Sequence, residues 1–198
     1  AEIKGFDQGW GFVDGEGTRP FYRQSIKIPT LEEVFRSFPS ALCNIEMKHG
    51  GERMYEKLLE TIRECGKLDY VLVASHKEEV IQGFRALKTG IPTNFCYNEV
   101  KGCIRAMEGH CFEPSMLASA QALQIPVKHG RKVLVSAETV KAAHEAGVEV
   151  HVWTVNQERE ARRLLELGVD GIMSDDSEML TSLIGKRISS LSKERFIL

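Results

Sequence analysis

The sequence has no excess of positive charge and no long apolar run. Its 198 residues carry a formal charge of −2, whereas a surface with general affinity for nucleic acid or anionic membrane needs a clear surplus of Lys and Arg. No segment is long and apolar enough to span a bilayer, and the N-terminus shows no signal-peptide pattern. With 42% hydrophobic and 27% charged residues, residues 1–198 are predicted to form one soluble domain with a sizeable core.

The sequence also has no Cys-x-x-Cys pair, and its cysteine count is odd. Most of the cysteines lie in apolar stretches, where thiols act as small hydrophobic groups, so a reducing cytoplasm is the expected location. His110 precedes Cys111, but adjacency in sequence says little about geometry, and the pair receives no catalytic or metal role. The five cysteines are Cys43, Cys65, Cys96, Cys103 and Cys111.

Nucleotide-binding loops are missing as well, since no Gly-x-Gly-x-x-Gly or Walker-type segment follows any predicted strand. Short apolar runs alternate with amphipathic helical patterns, which is typical of parallel βα units. An open doubly wound sheet and a (β/α) barrel both fit this alternation, and the missing loops favour the barrel. A full barrel has eight units in about 250 residues, whereas six strands are predicted, so the first two units are expected to be absent. The predicted strands are residues 42–48, 70–75, 94–98, 120–125, 148–155 and 171–174.

Helix start and stop signals separate these strands. Thr30 and Glu33 form a capping box, Ser136, Asn156 and Ser177 are predicted N-caps, and Gly168 is a predicted C-cap glycine. The helices are expected to bury apolar stripes, which include Val34, Phe35, Phe38, Met54, Leu58, Ile62, Cys65, Val80, Ile81, Phe84, Leu87, Val140, Ala143, Ala161, Leu164, Leu165, Leu180, Leu183 and Ile184.

The first 27 residues differ in character from the rest. Five glycines alternate there with aromatic residues such as Phe6, Trp10 and Phe21. Residues 1–27 are predicted to be an irregular insertion loop with aromatic anchors, packed on one face of the barrel. A substrate lid is the alternative interpretation.

The segment Asn44-Ile45-Glu46-Met47-Lys48 combines an acid and a base at the end of a predicted strand. Residues two apart on a strand point to the same side, so Asn44, Glu46 and Lys48 are expected to share a face. A carboxylate beside an ammonium can hold a divalent cation and an anionic oxygen together, as metal-assisted phosphoryl chemistry requires. A plain Glu–Lys pair inside a barrel is the alternative interpretation.

Three segments resemble the glycerophosphodiester phosphodiesterase family. The first runs from Ile-Pro-Thr-Leu-Glu-Glu-Val at residues 28–34 into the segment 44–48. The second is Gly-Val-Glu-Val-His-Val-Trp-Thr-Val-Asn at 147–156, and the third is Leu-Leu-Glu-Leu-Gly-Val-Asp-Gly-Ile-Met-Ser-Asp at 164–175. Their order and spacing also match, and the resemblance covers nearly all of the chain.

The resemblance implies a TIM-type barrel that hydrolyses glycerophosphodiesters to glycerol 3-phosphate and an alcohol with a divalent metal, Mg²⁺ or Ca²⁺. It implies that Glu46 is a metal ligand, that Lys48 lies near the substrate phosphate, and that Trp153 lies at the mouth of the site. The partner would be a small-molecule substrate, with no nucleic acid and no stable membrane insertion. A homo-oligomer is compatible with this interpretation.

The chain departs from the family pattern in its catalytic half. The family's His-Arg-Gly segment, Glu-x-Asp metal pair and second histidine followed by Asp do not occur in these 198 residues. The chain is therefore expected to begin after them, and its catalytic acid and base are unassigned. The alternatives are a catalytically silent barrel fragment or binding module, and another phosphodiester-cleaving barrel such as a phospholipase D-like toxin relative.

Several further residues have two interpretations. Trp153 lines a substrate site or belongs to the core, and His76 is the histidine best placed for a site because it follows a strand. Asp175 contacts substrate hydroxyls or, as the favoured interpretation, begins a helix. The basic residues of segment 128–132 are expected in a solvated loop, with phosphate binding as the alternative. Glu158 and Arg162 are expected to form a helical ion pair on a solvated face.

Overall fold

The computed structural model describes residues 3–108 and 119–194, with side chains omitted at 107–108 and 186–194. The chain has an α/β fold, and it divides into one compact unit of residues 1–43 and 52–71 and another of residues 44–51 and 72–198. The helices are α1 Leu31–Ser37, α2 Glu52–Glu64, α3 Glu78–Arg85, α4 Tyr97–Glu108, α5 Ala137–Glu145, α6 Glu158–Leu167 and α7 Ser177–Glu194. The strands are β1 Cys43–Glu46, β2 Val71–Ala74, β3 Ala122–Pro126, β4 Lys128–His129, β5 Lys132–Val133, β6 Glu149–Trp153 and β7 Gly171–Ile172.

The first unit contains the glycine-rich segment and helices α1 and α2. Asp7 closes the segment into a loop, because its carboxylate accepts hydrogen bonds from the backbone amides of Gly9, Ser25 and Ile26. Apart from one 3₁₀ turn at Ile3–Gly5, residues 3–27 form neither helix nor strand, as predicted. The insertion role of residues 1–27, and the single domain of residues 1–198, stay predictions.

Helix α1 begins and ends with identifiable contacts. Thr30 and Glu33 form the predicted capping box, and the Lys4 ammonium pairs with the same Glu33 carboxylate. Beyond the end of α1, the buried Lys67 donates to the carbonyl oxygens of Phe38 and Pro39 at 2.8 and 2.7 Å. These bonds satisfy an ammonium that would otherwise be costly to bury.

The second unit arranges its strands in the order in which they occur along the chain. β1 pairs with β2, β3 pairs in parallel with β6, and β6 pairs in parallel with β7. Two isolated parallel bridges, Val73 to Thr93 and Asn94 to Ala122, connect the first pair of strands to β3. Sequential strands linked by helices are the arrangement expected of consecutive βα units.

The apolar core of this unit lies between these strands and helices α4 to α7. On β6, Val150 and Val152 are fully buried, whereas the alternating residues Glu149, His151 and Trp153 are not. This period of two is the strand pattern expected from the sequence. Leu164 of α6 is also fully buried against this core.

The third predicted strand, residues 94–98, is wrong. The chain forms only single bridges at Thr93 and Asn94, and helix α4 begins at Tyr97. Glu99 explains the change, because its carboxylate accepts the Cys96 amide hydrogen at 2.7 Å, as the third residue of a capping box does. Arg85 holds the same carboxylate with two hydrogen bonds of 2.6 and 3.2 Å.

Two predicted N-caps are also wrong. Gln157 precedes α6 and makes no capping bond, while the Asn156 side chain bonds to the backbone of Asp175 instead. At α7, Ser177 is already helical, and Asp176 accepts the Met179 amide hydrogen at 2.9 Å. The predictions for Ser136 as an N-cap and Gly168 as a left-handed C-cap are confirmed.

The segment 128–132, predicted as a loop, is a β-hairpin. β4 and β5 are antiparallel, with Lys128 opposite Val133 and His129 opposite Lys132. The two-residue connection contains Gly130 at a φ of 60°, a conformation that glycine adopts without steric cost.

Some apolar residues predicted to be buried are exposed instead. Phe38 is 60% exposed, Met54 52%, Leu87 44% and Ile184 42%. On α2 the predicted burial of Leu58 and Ile62 is confirmed, and Tyr55 and Leu59 are buried beside them in place of Met54. None of the helices in the described ranges combines the length and the hydrophobicity that crossing a membrane would require.

Candidate functional site

A cavity of about 730 Å³ lies in the second unit, where the strands end. Its walls come from residues at the ends of β1, β2, β3 and β6 and directly after these strands and β7, together with one face of α4. In a sheet of this type the carboxyl ends of the strands are where ligands bind. The polar and charged lining residues are Asn44, Glu46, Lys48, Ser75, His76, Asn94, Tyr97, Lys101, Arg105, Gln124, His129, Lys132, Trp153, Thr154, Ser174 and Asp175.

The carboxylate of Glu46 contacts two other ionisable side chains that line this cavity. Its Oε1 atom lies 2.6 Å from the Lys48 ammonium and 3.4 Å from Nδ1 of His76. The hydrogen bond from Lys48 lowers the pKa of the Glu46 carboxyl, burial opposes that shift, and the His76 contact adds to it. Asn44, Glu46 and Lys48 all line the cavity while Ile45 and Met47 do not, so their predicted shared face is confirmed.

Buried polar side chains hold His76 and the strand ends in place. The Ser75 hydroxyl donates to the Met47 carbonyl at 2.8 Å, and the Asn94 side chain accepts the Ser75 amide hydrogen at 2.9 Å. Ser75 is fully buried and Asn94 nearly so. These bonds fix the backbone directly after Glu46 and directly before His76, so the site is built on ordered strand ends.

Trp153 ends β6 at the rim of the cavity. Its side chain is 44% exposed and lines the cavity, so the interpretation as a core tryptophan is wrong. The peptide bond that follows it, to Thr154, is cis.

Asn156 joins the loop after β6 to the loop after β7. Its Nδ2 donates to Oδ2 of Asp175 at 2.8 Å, and its Oδ1 accepts the Asp175 amide hydrogen at 2.9 Å and the Ser174 hydroxyl at 3.1 Å. Asp175 also lines the cavity, so Asn156 positions one of the carboxylates of the site.

Among residues 3–108 and 119–194, no group of three or more His, Cys, Asp or Glu side chains could hold a metal ion. Cys96 and Cys103 are buried, and burial raises the pKa of both thiols. His110 and Cys111 lie outside the described residues. His144 contacts Asp170 at 2.9 Å, and His151 contacts Gln124 and Glu149, so both histidines have structural partners.

The family model described as the glycerophosphoryl diester phosphodiesterase family matches residues 1–179. The chain belongs to this family. The match includes Glu46, Lys48, His76, Trp153 and Asp175, so every lining residue discussed above lies within the family's own region.

Individual relatives agree with this membership. A probable glycerophosphodiester phosphodiesterase of Mycobacterium tuberculosis is 25% identical over 160 residues, which are 79% of this chain and 60% of that protein. The chain spans 54 to 63% of the length of the first curated relatives it matches.

Solved structures show the same fold. A crystal structure of a glycerophosphoryl diester phosphodiesterase domain from Mycobacterium tuberculosis has a TM-score of 0.75 at 12% identity, covering 93% of this chain and 74% of that one. An Oleispira antarctica phosphodiesterase in complex with the product sn-glycerol-3-phosphate has a TM-score of 0.54 at 22% identity, covering 82% and 63%. The neighbours are TIM-barrel proteins, which agrees with the predicted fold type.

The structure brings together the three predicted site residues, since Glu46, Lys48 and Trp153 line one cavity. Sequence reasoning missed the face of α4 that carries Lys101 and Arg105, because that segment was predicted to begin as a strand. The sequence did contain a signal for this face. Tyr97, Val100, Lys101, Ile104 and Arg105 are three or four positions apart, which is the spacing of residues on one helix face.

Proposed function

We propose that the chain is part of an enzyme that hydrolyses glycerophosphodiesters to glycerol 3-phosphate and an alcohol. The observation that carries this proposal is the cluster of Glu46, Lys48 and His76 at the end of a cavity formed by strand termini. Membership of the family supports it, as does the relative whose structure holds the product sn-glycerol-3-phosphate.

In this proposal Lys48 binds the substrate phosphate. Its side chain is 64% exposed, and among the ion pairs of the described residues it is balanced by Glu46 alone, so a phosphate can approach the ammonium from the cavity. A lysine ammonium acts on phosphate as a point charge, and it offsets charge on the non-bridging oxygens. Trp153 supplies an apolar wall against which the glycerol or alcohol part can pack.

We also propose Glu46 as one ligand of a divalent cation, Mg²⁺ or Ca²⁺. Such cations prefer several oxygen ligands, and the described residues do not by themselves fit one, since they contain no group of three candidate ligands. Further ligands would have to come from elsewhere. Replacing Glu46 by Gln should weaken Mg²⁺ or Ca²⁺ binding measured by calorimetry on a catalytically competent form, and unchanged affinity would remove Glu46 from the site.

The barrel is proposed to be larger than the part seen here. Strands β1, β2, β3, β6 and β7 follow one another in chain order, with parallel bridges at Thr93 and Asn94 between β2 and β3. The chain spans only 54 to 63% of its first curated relatives. We propose that two further βα units precede β1 and carry the catalytic acid and base. The cytoplasmic location, the lack of nucleic-acid binding and the homo-oligomer stay predictions.

The test is hydrolysis of glycerophosphoinositol by this chain and by a form extended at its N-terminus, with Mg²⁺ or Ca²⁺ and then with EDTA. Metal-dependent release of glycerol 3-phosphate by the extended form is expected. Replacing Lys48 by Ala should lower kcat/KM about 100-fold, the usual cost of removing one transition-state contact.

Lys141 provides the matched control, because it is a surface lysine paired with Glu145 at 3.8 Å, outside the cavity. Its replacement by Ala should leave turnover unchanged. No turnover by either folded form would favour the alternative of a catalytically silent scaffold.

A further inference from the structure

We propose that the cavity selects glycerophosphodiesters whose alcohol part itself carries a negative charge. The inference rests on the proposed hydrolysis and adds the substrate class. It comes from four basic side chains that line the cavity, here called the basic wall: Lys101 and Arg105 of α4, and His129 and Lys132 of the β4–β5 hairpin.

Helix α4 presents a complete face to the cavity. The lining residues Tyr97, Val100, Lys101, Ile104 and Arg105 recur at intervals of three and four positions. Lys101 and Arg105 are one turn apart, so their Cβ atoms lie roughly 5–6 Å from each other. The two cations therefore project side by side from one helix face.

The hairpin supplies the second half of the basic wall. His129 and Lys132 are directly opposite each other in the β4–β5 register, which places their Cβ atoms about 4.5–5.5 Å apart. Lys128 and Arg131 belong to the same hairpin and are exposed, but they do not line the cavity. Of the four basic residues of the hairpin, only His129 and Lys132 are therefore placed to contact a ligand in the cavity.

The carboxylates of the cavity are engaged elsewhere. Glu46 pairs with Lys48, and Asp175 is held by Asn156. Among the described residues, no carboxylate forms an ion pair with Lys101 or Arg105, and the Lys101 ammonium lies only over the Tyr97 ring, 6.0 Å from its centroid. Apolar side chains such as Phe95 and Leu134 line the same cavity, and a concave surface with partly apolar walls strengthens the field of the Lys101 and Arg105 cations.

The basic wall is separate from the proposed phosphate contact. Lys48 follows β1, whereas α4 follows the bridge at Thr93 and Asn94, two strand positions further along the sheet. Neighbouring strands are about 4.8 Å apart, so the two regions are roughly 10 Å apart at the sheet. A diester whose phosphate binds Lys48 would direct its alcohol part towards the basic wall, where a second anion is favoured and a quaternary ammonium is repelled.

A matched pair of substrates tests this inference. Glycerophosphoinositol and glycerophosphoinositol 4-phosphate differ only by one monoester phosphate on the alcohol. Binding of each to this chain can be followed by the fluorescence of Trp153 in a Trp10→Phe background, because the chain has two tryptophans. We expect the 4-phosphate to bind about 10-fold more tightly, as two partly exposed cations would allow, and the same preference to be found in kcat/KM of a catalytically competent form.

The double variant Lys101→Ala, Arg105→Ala should bring the ratio of the two affinities close to one, whereas Lys128→Ala, Arg131→Ala, which removes the same charge from outside the cavity, should keep it. No preference in the parent chain, no binding of either diester, or a preference that survives loss of Lys101 and Arg105 would overturn the inference. If the chain kept a binding preference that depends on Lys101 and Arg105 but a catalytically competent form showed no turnover, only the proposed hydrolysis would be refuted.

Discussion

Replacing Arg85 by Met should remove the side chain that ties α3 to the start of α4. The guanidinium donates to both oxygens of Glu99, to the Thr93 hydroxyl at 3.0 Å and to the Asn94 carbonyl at 2.7 Å. The Arg85 and Glu99 side chains are 14% and 18% exposed. Methionine keeps much of the apolar stem but none of these hydrogen bonds.

The loss should be large because Glu99 would remain partly buried without its cation. Removing one partner of a buried pair costs about 3 kcal/mol or more. For a chain of this length, that corresponds to a fall in Tm of about 6–12 °C. The measurement is urea unfolding followed by circular dichroism, with the m-value checked for constancy.

Arg162 offers the matched control for Arg85. It pairs with Glu158 one turn away on α6, but both side chains are about half exposed, and such pairs contribute about 0.5 kcal/mol or less. Arg162→Met should therefore leave the unfolding midpoint nearly unchanged. Equal effects of the two replacements would refute the reasoning that burial decides the value of the Arg85 pair.

Acid should reduce the difference between the parent chain and Arg85→Met. Burial alone would raise the pKa of Glu99, but the bonds from Arg85 and from the Cys96 amide outweigh it, so the pKa is lowered. A carboxyl whose folded pKa is lowered stabilises the fold above its unfolded pKa and loses that contribution as the pH falls through the folded pKa. The cost of Arg85→Met should be greatest near neutral pH and shrink below about pH 4, and a cost that grows on acidification would contradict this account.

Three further replacements test packing and capping by the same urea titration. Leu164→Ala in the fully buried face of α6 should cost about 3 kcal/mol, and a cost below about 1 kcal/mol would mean that the core is loosely packed there. Gly171→Ala should cost about 1–3 kcal/mol, because its Cβ would lie 2.7 Å from the His151 ring; a stabilised variant would show that the ring moves freely. Ser136→Ala removes the bond to the Thr139 amide at the start of α5 and should cost about 1 kcal/mol, whereas Ser136→Gly should cost less, and the opposite order would contradict the capping role.

The elements that could be predicted from sequence are those whose signal is local. The capping box of Thr30 and Glu33 needs only four residues, and the alternation of Glu46 with Ile45 and Met47 follows from strand geometry. Both predictions are confirmed because no distant partner is required to produce them.

The elements that could not be predicted depend on distant contacts. Asn156 is a residue type favoured at N-caps. Its side chain instead bonds to residues 174 and 175, which the fold brings close to it from the loop after β7. Glu99 likewise stabilises the start of α4 while paired with Arg85, 14 positions earlier. Local propensity for a strand at Phe95 and Cys96 was overridden by this network.

Helix α4 is a suitable position for engineering the cavity, because its two faces have separate roles. Cys103 and Ala106 are buried and secure the helix to the core, while Lys101 and Arg105 face the cavity. Side chains that contact ligand and side chains that hold the scaffold are thus carried by different positions of the same helix. A small combinatorial library at positions 101 and 105 would therefore change the charge of the cavity without disturbing the packing that holds the helix.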